Sequence, residues 1–254
     1  MSQNGNLAVT AILLVAGIGR RLGQARPGPK VLLEFGGRSL LARHFDALAA
    51  CGVDEVVMVV GFEAGQLETA VRRLDPPFKV RMLTNPRFTE GSVVSMATAG
   101  EVLRSGRTVL LMDGDVLYDP RMLRRLIEGR AENTLLVDRE LDPGDEPVKV
   151  CFDQAGAIVD FRKKPENPGV RHGESVGFFR FSPATAAALA ERADWYTAHA
   201  PALEYEEAIR DLMLAEPDRF GAGDVTDLPW TEIDFMEDVV RAREVILPQL
   251  EVLA

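Results

Sequence analysis

Cysteine and histidine are scarce in this chain, two and three residues in 254, which leaves little for disulfides, thiol nucleophiles or clustered soft-metal sites. Cys51 and Cys151 stand apart with no C-x-x-C spacing and read as reduced packing residues, and His44, His172 and His199 show no ligand spacing. Positive charge is also in deficit. Against 29 Lys and Arg stand 39 Asp and Glu, a formal net charge of −10, so the chain has no excess of cations from which to build a broad basic face for a nucleic-acid backbone. Long hydrophobic runs are missing too: the apolar stretch at 11–16 is too short for a membrane span or a signal, and Met1-Ser-Gln-Asn-Gly-Asn-Leu7 has no basic n-region. Neither nucleic acid nor membrane is an expected partner, and the cytoplasm is the expected compartment. There is no internal repeat and no low-complexity segment. Two familiar phosphate-loop signatures are absent as well. GxxxxGK[ST] occurs nowhere, and GxGxxG fails because residue 22 is Leu22 and Gly23 comes one place late.

What the chain does have is apolar content of 46%, ample for a buried core at this length. A continuous apolar run at 9–15 suits a strand buried on both faces, 108–112 is another all-apolar strand, and further strands are predicted at 55–60, 79–83 and 134–137. Between them, helical spacing predicts helices at 39–50, 64–74, 92–103 and 120–128, punctuated by Gly52, Gly61 and Asp75-Pro-Pro77. This alternation predicts an α/β fold, a Rossmann-like, mostly parallel sheet with helices on both faces. After Arg139 the pattern changes to strands in succession at 147–152, 157–161 and 174–181, a small antiparallel substrate lobe. Helices follow at 183–193 and 205–214, then a strand-like 220–225 and a last helix at 235–250.

The chemistry concentrates where the first strand ends. Val15-Ala-Gly-Ile-Gly-Arg-Arg21 and Pro29-Lys30 form a turn whose Ala16, Gly17 and Gly19 let backbone N–H groups approach an anion. Arg20, Arg21, Arg26 and Lys30 place four cations around it and no carboxylate, in a chain that is otherwise acidic. The plain alternative is a strand-to-helix turn with solvated arginines. A second cluster, Asp113-Gly-Asp115, closes the strand at 108–112, at the carboxyl end where parallel sheets bind ligands.

The first loop resembles that of nucleotidyltransferases of the sugar-phosphate nucleotidylyltransferase type, which read L-x-A-G-x-G-x-R, a variable stretch and then P-K. The resemblance implies a single domain over 1–254: a nucleotide-binding core at 7–138, a substrate lobe at 139–182, and C-terminal helices with a second metal aspartate at 183–254. It implies Mg²⁺ held by Asp115 and by Asp234 of Trp230-Thr-Glu-Ile-Asp234, a segment that otherwise reads as a helix N-cap. Arg21 and Lys30 would hold the β- and γ-phosphates, with Asp113 on the nucleotide side. Thr84-Asn-Pro-Arg-Phe-Thr-Glu-Gly-Ser92 looks like the base-contacting turn of the cytidylyltransferase branch, which gives Asn85, Gly91 and Ser92 nucleotide contacts, although Ser92 also suits a helix start. Lys164 of Arg162-Lys-Lys-Pro165 resembles the acceptor-phosphate lysine of the sugar enzymes, and Lys149 is the other candidate.

With Glu174-Ser-Val-Gly-Phe-Phe-Arg-Phe-Ser182 and Glu204-Tyr-Glu-Glu207, the chain is similar to phosphocholine, phosphonate and inositol-phosphate cytidylyltransferases. The implied activity is CMP transfer from CTP, or another nucleoside triphosphate, to a small phosphorylated or phosphonate acceptor. Trp195 and Tyr205 near Glu204, Glu206 and Glu207 offer a place for an ammonium group, and a polyol or sugar phosphate is the other acceptor class. A sugar-1-phosphate uridylyl- or thymidylyltransferase would share the loop and both aspartates. A catalytically silent nucleotide-binding regulator is the alternative outside the enzymes.

Overall fold

The computed structural model describes residues 9–22, 28–140 and 146–251. In chain order the strands are β1 (Val9–Val15), β2 (Glu34–Phe35), β3 (Arg38–Ser39), β4 (Glu55–Val60), β5 (Lys79–Thr84), β6 (Thr108–Asp113), β7 (Val116–Tyr118), β8 (Asn133–Asp138), β9 (Lys149–Phe152), β10 (Ile158–Arg162), β11 (Arg171–Phe181), β12 (Phe220–Asp224) and β13 (Trp230–Glu232). The helices are α1 (Leu40–Ala50), α2 (Ala64–Leu74), α3 (Ser92–Thr98), α4 (Gly100–Leu103), α5 (Arg121–Ile127), α6 (Pro183–His199), α7 (Glu206–Ala215) and α8 (Met236–Arg241).

The apolar runs of β1, β4 and β6 lie inside the main sheet, while β5, which carries Lys79 and Arg81, is an edge strand with no fully buried residue. Strands β5, β4, β1 and β6 lie side by side and parallel, and β11 follows antiparallel to β6. Alternate residues of β1 point to opposite faces: Ala11, Leu13 and Val15 join one core, with α1 and α5, while Ile12 joins the other, with α6 and α7. Both faces are thus covered, as the continuous apolar runs require. Ser39 caps α1 through its Oγ, which accepts from Ala42 N at 3.1 Å.

Strand β11 has two roles. Its first residues, Arg171 to Glu174, pair with β9, and Phe178 to Phe181 pair with β6 in the main sheet. It also pairs with β8, which carries β12 in parallel. The antiparallel strands after Arg139 are therefore joined to the parallel sheet through one long shared strand.

Several boundaries differ from expectation. The helix expected at 92–103 is broken at Ala99 into α3 and α4. Helix α6 runs on to His199 and stops just ahead of Pro201, which disfavours helical geometry in the residue before it. The last helix is short: α8 gives way to a wider turn at Ala242–Ile246 and a tighter one at Leu247–Gln249, where Pro248 lacks the amide that helix continuation needs. Among the described residues no helix is long and apolar enough to cross a membrane.

Candidate active site

The order β5-β4-β1-β6 reverses direction at β1, so the loops leaving β1 and β6 open a crevice at the carboxyl ends of those strands. Gly114 keeps the two loops close. Its amide donates to Leu14 O at 3.2 Å, and an added Cβ would lie 2.3 Å from Val15 Cγ1. Beneath it, fully buried His44 of α1 has its Nε2 3.2 Å from Gly114 O, and burial pushes the imidazole pKa down to about 4. The ring is therefore neutral at physiological pH, with Nε2–H donating to the carbonyl.

A two-strand ladder brings the far end of the chain to this place. Trp230, Thr231 and Glu232 pair antiparallel with Tyr118, Leu117 and Val116, and Ile233 N donates to Asp115 O at 2.9 Å. Asp234 therefore faces Asp115. Carboxylate oxygens of Asp115, Glu232 and Asp234 lie within 4.8 Å of one another.

Lys30 enters the same point from the first loop. Its Nζ donates to Asp115 Oδ2 at 2.8 Å and to Asp234 Oδ1 at 2.5 Å. Burial alone would lower the pKa of this ammonium, but Asp115 and Asp234 outweigh it and raise it. Asp234 moves in the reciprocal direction: burial raises its pKa, yet Lys30 and then Arg21 pull it below the usual carboxylate range. Partial desolvation and the charges of Asp115, Asp234 and Asp113 push Glu232 well upward. The Lys30 stem lies across Gly19, whose φ of +65° suits glycine and where a Cβ would press on Lys30 Cγ at 2.8 Å. Above Gly17 the space is open, with nothing within 4 Å of where a Cβ would stand. Arg21 binds Glu146 at 2.9 Å and Asp234 at 3.1 Å, with its guanidinium 5.5 Å from the Phe235 ring centre.

Arg21, Asp115, Glu146, Glu232, Asp234 and Phe235 line a cleft of about 600 Å³, together with Ala16, Gly17, Ser92, Asp113, Lys163 and Tyr205. A smaller recess holds Gly17, Gly19, Lys30 and Asp115. Asp113 accepts a 2.6 Å hydrogen bond from Tyr205 OH, and its pKa is driven up by burial, then by Asp115 and Glu206. Three carboxylates offering hard oxygen ligands fit a divalent cation such as Mg²⁺ in donor chemistry.

Residues 11–171 match the MobA-like NTP transferase domain family, well over half of the chain. The chain belongs to this family. This MobA-like domain is 31% identical over 249 residues to CMP-5'-(3-aminopropyl)phosphonate synthase of Streptomyces rubellomurinus, covering 89% of the chain and 37% of that protein. It is 28% identical over 253 residues to the bifunctional IPC transferase and DIPP synthase of Rubrobacter xylanophilus, covering 96% of the chain and 53% of that protein. The chain thus spans roughly a third to a half of the length of these curated relatives. In fold it is similar to the inositol-1-phosphate CTP transferase from T. maritima, with a TM-score of 0.72 at 21% identity, covering 90% of each chain.

The remaining sequence-derived residues of the MobA-like domain fall in different places. Ser92 begins α3 and its Oγ accepts from Tyr205 N at 2.9 Å, while Gly91 caps that helix and a Cβ there would meet Leu203 O at 2.0 Å. Asn85 is buried behind the cleft, donating to Ser95 Oγ at 3.0 Å and accepting from Arg87 N at 2.8 Å. Lys149 Nζ donates to Lys163 O at 3.0 Å, and Lys164 lines an adjoining depression with Arg21, Glu146, Lys163 and Glu206. The Arg20 side chain and Arg26 lie outside the described residues. Trp195 is 48% exposed on α6, stacked on His199 with ring centres 4.6 Å apart, and does not line the cleft.

Lys163 and Glu232 were not singled out from the sequence. Lys163 stands beside Lys164 in the same Lys-Lys pair, and only the fold distinguishes which one meets the main cleft. Glu232 was legible in principle, two residues before Asp234 in an alternating segment, where both side chains share one face.

Proposed function

We propose that this domain is a Mg²⁺-dependent nucleotidyltransferase that moves CMP from CTP to a small phosphorylated alcohol or phosphonate, releasing pyrophosphate. The observation that carries this reading is the meeting of Lys30, Asp115, Glu232 and Asp234 beside the open backbone cradle at Gly17. The names of the relatives supply the nucleotide: one is called a CMP-phosphonate synthase and one a CTP transferase.

An oxygen of the acceptor's phosphoryl or phosphonyl group forms a bond to the α-phosphorus. The bond from that phosphorus to the α,β-bridging oxygen breaks, and its electron pair leaves on pyrophosphate. No general base is needed, since a phosphomonoester with a second pKa of about 6 is already largely dianionic at neutral pH. The work is bringing two anions together and offsetting charge in the transition state. Backbone amides around Ala16, Gly17 and Gly19, with Arg21 and Lys30, take the β- and γ-phosphates. Asp115, Glu232 and Asp234 hold Mg²⁺, which when bound neutralises charge at the α-phosphoryl group. Ser92 and Asp113 line the nucleotide side, with Asn85 and Gly91 shaping the turn behind. Lys163 and Lys164 face the acceptor, and Lys149 steadies Lys163 through its carbonyl. The cytoplasm, where nucleoside triphosphates are abundant, is the proposed compartment.

Pyrophosphate release with Mg²⁺ tests this across CTP, UTP, dTTP and GTP, each with phosphonate, phosphomonoester and hexose 1-phosphate acceptors. Acceptor-dependent release with CTP is expected. Release confined to another triphosphate and a hexose 1-phosphate would move the chain to the sugar enzymes, and nucleotide binding without turnover would make it a silent regulator. Asp115→Asn is expected to lower kcat roughly 100-fold or more while the melting temperature measured without metal holds; a near-normal rate would overturn the site assignment.

A further inference from the structure

The start of α8 breaks a local rule. The residue just before a helix is usually Ser, Thr, Asp or Asn, whose side-chain oxygen accepts from the first free amides. Here that place holds Phe235, which has no such oxygen. Its ring is 39% exposed, lines the main cleft and lies 5.5 Å from the Arg21 guanidinium, so the position is given over to the site. The capping role passes to Asp238. A single oxygen, Asp238 Oδ2, accepts from Asp234 N at 2.9 Å and from Phe235 N at 2.7 Å.

Two backbone anchors therefore flank Asp234. Ahead of it, Ile233 N donates to Asp115 O at 2.9 Å and ties the chain to the loop after β6. Behind it, Asp238 fixes the next turn. Between these anchors Asp234 Oδ1 meets Lys30 and Oδ2 meets Arg21. Among the described residues the converging carboxylates are Asp115, Glu232 and Asp234, so Asp238 bears on the metal position through the backbone of Asp234.

We propose that Asp238 is a positioning residue: by holding the amides of Asp234 and Phe235, its carboxyl oxygen aims the Asp234 carboxylate at Asp115 and sets the affinity of the metal position. This rests on the metal reading above and adds to it a residue that acts through another.

Mn²⁺, a divalent ion that also favours carboxylate oxygens, is the probe, with free Mn²⁺ counted by electron paramagnetic resonance on the full chain without nucleotide. Asp238→Ala removes the oxygen, whereas Asp238→Asn keeps a carbonyl that can accept from both amides. Glu237→Gln removes a neighbouring charge and leaves both bonds. Asp238→Ala should weaken Mn²⁺ binding about 10-fold or more, and the other two variants by less than about 3-fold. Losing the cap should also lower the melting temperature of Asp238→Ala by a few degrees. Phe235→Ser in the Asp238→Ala background separates the two effects, because a serine there caps the helix but does not hold Asp234 N. The double variant should regain melting temperature and stay weak for Mn²⁺. Wild-type Mn²⁺ affinity in Asp238→Ala, or affinity regained with stability in the double variant, makes Asp238 a helix cap only. Equal weakening in Asp238→Asn makes it act by charge. Each of these overturns the positioning role and leaves the metal reading standing, whereas a wild-type chain that binds no Mn²⁺ overturns both.

Discussion

His44 shows how one buried side chain couples the site to pH. Its folded pKa is about 4 against an ordinary 6.5, so between those values the unfolded chain binds the proton and the native chain does not. Stability from this residue is therefore fully present above pH 6.5 and is lost as pH falls toward 4, about 3 kcal/mol in all. Glu206 works the other way: burial, then Glu204, raise its carboxyl to about 8 from 4.5, so its contribution favours the native state at lower pH. The His44 effect must accordingly be read as a difference. Relative to His44→Gln, the wild-type chain is expected to lose about 2 kcal/mol of urea-unfolding stability between pH 6.5 and pH 5. Parallel pH profiles for the two proteins would show that His44 is not buried neutral under Gly114.

At the scale of elements, the turn that carries Lys163 and Lys164 is fixed by one buried carboxylate. Asp160 of β10 accepts from the amides of Glu166 at 2.7 Å and Asn167 at 2.8 Å, and from Arg210 Nε of α7 at 2.6 Å. Asp160→Asn leaves the mostly buried Arg210 poorly paired and weakens both turn bonds, which predicts a loss of about 3 kcal/mol. Adding Arg210→Met should restore part of it, because the stranded charge goes too. Equilibrium unfolding of the wild type, both single variants and the double variant measures this, and an Asp160→Asn loss under about 0.5 kcal/mol would refute the pinning role. The same β10–α7 contact explains why the acceptor side was hard to read from sequence. The first loop and the end of β6 are local patterns, an apolar run followed by Gly, Arg or Asp, and both were legible residue by residue. Which lysine of the pair at 163 and 164 faces the main cleft depends on Asp160, Arg210 and the pairing of β9 with β11, none of which has a local signature. The β7–β13 ladder was unread for a similar reason: two three-residue strands more than 100 residues apart give too short a pattern to pair in advance.

Across the whole molecule, the site is made by folding distant stretches of an acidic chain onto one point. Asp115, Glu232 and Asp234 converge there, while Lys30 alone donates to both Asp115 and Asp234. Asp115, Glu232, Asp234 and Glu146 outnumber Lys30 and Arg21, the two cations that pair with Asp115 and Asp234, and the metal-ligand trio comes together only in the native state. A divalent cation should therefore stabilise folding by linkage, about 2.7 kcal/mol at 100 times its Kd and roughly 5–10 °C in melting temperature for a domain of this size. Sodium chloride at equal ionic strength should not reproduce the shift, and Asp115→Asn should abolish most of it. Lys30 sharpens the test, because its ammonium occupies the same carboxylate oxygens that a metal ion needs. Lys30→Met removes that competitor, so Mg²⁺ should bind tighter and raise the melting temperature more than in the wild type. Turnover should nevertheless fall, since the phosphates lose a cation. Metal titration and pyrophosphate release on one preparation read the two signs together, and a Lys30→Met protein that bound Mg²⁺ more weakly would mean the ion sits elsewhere.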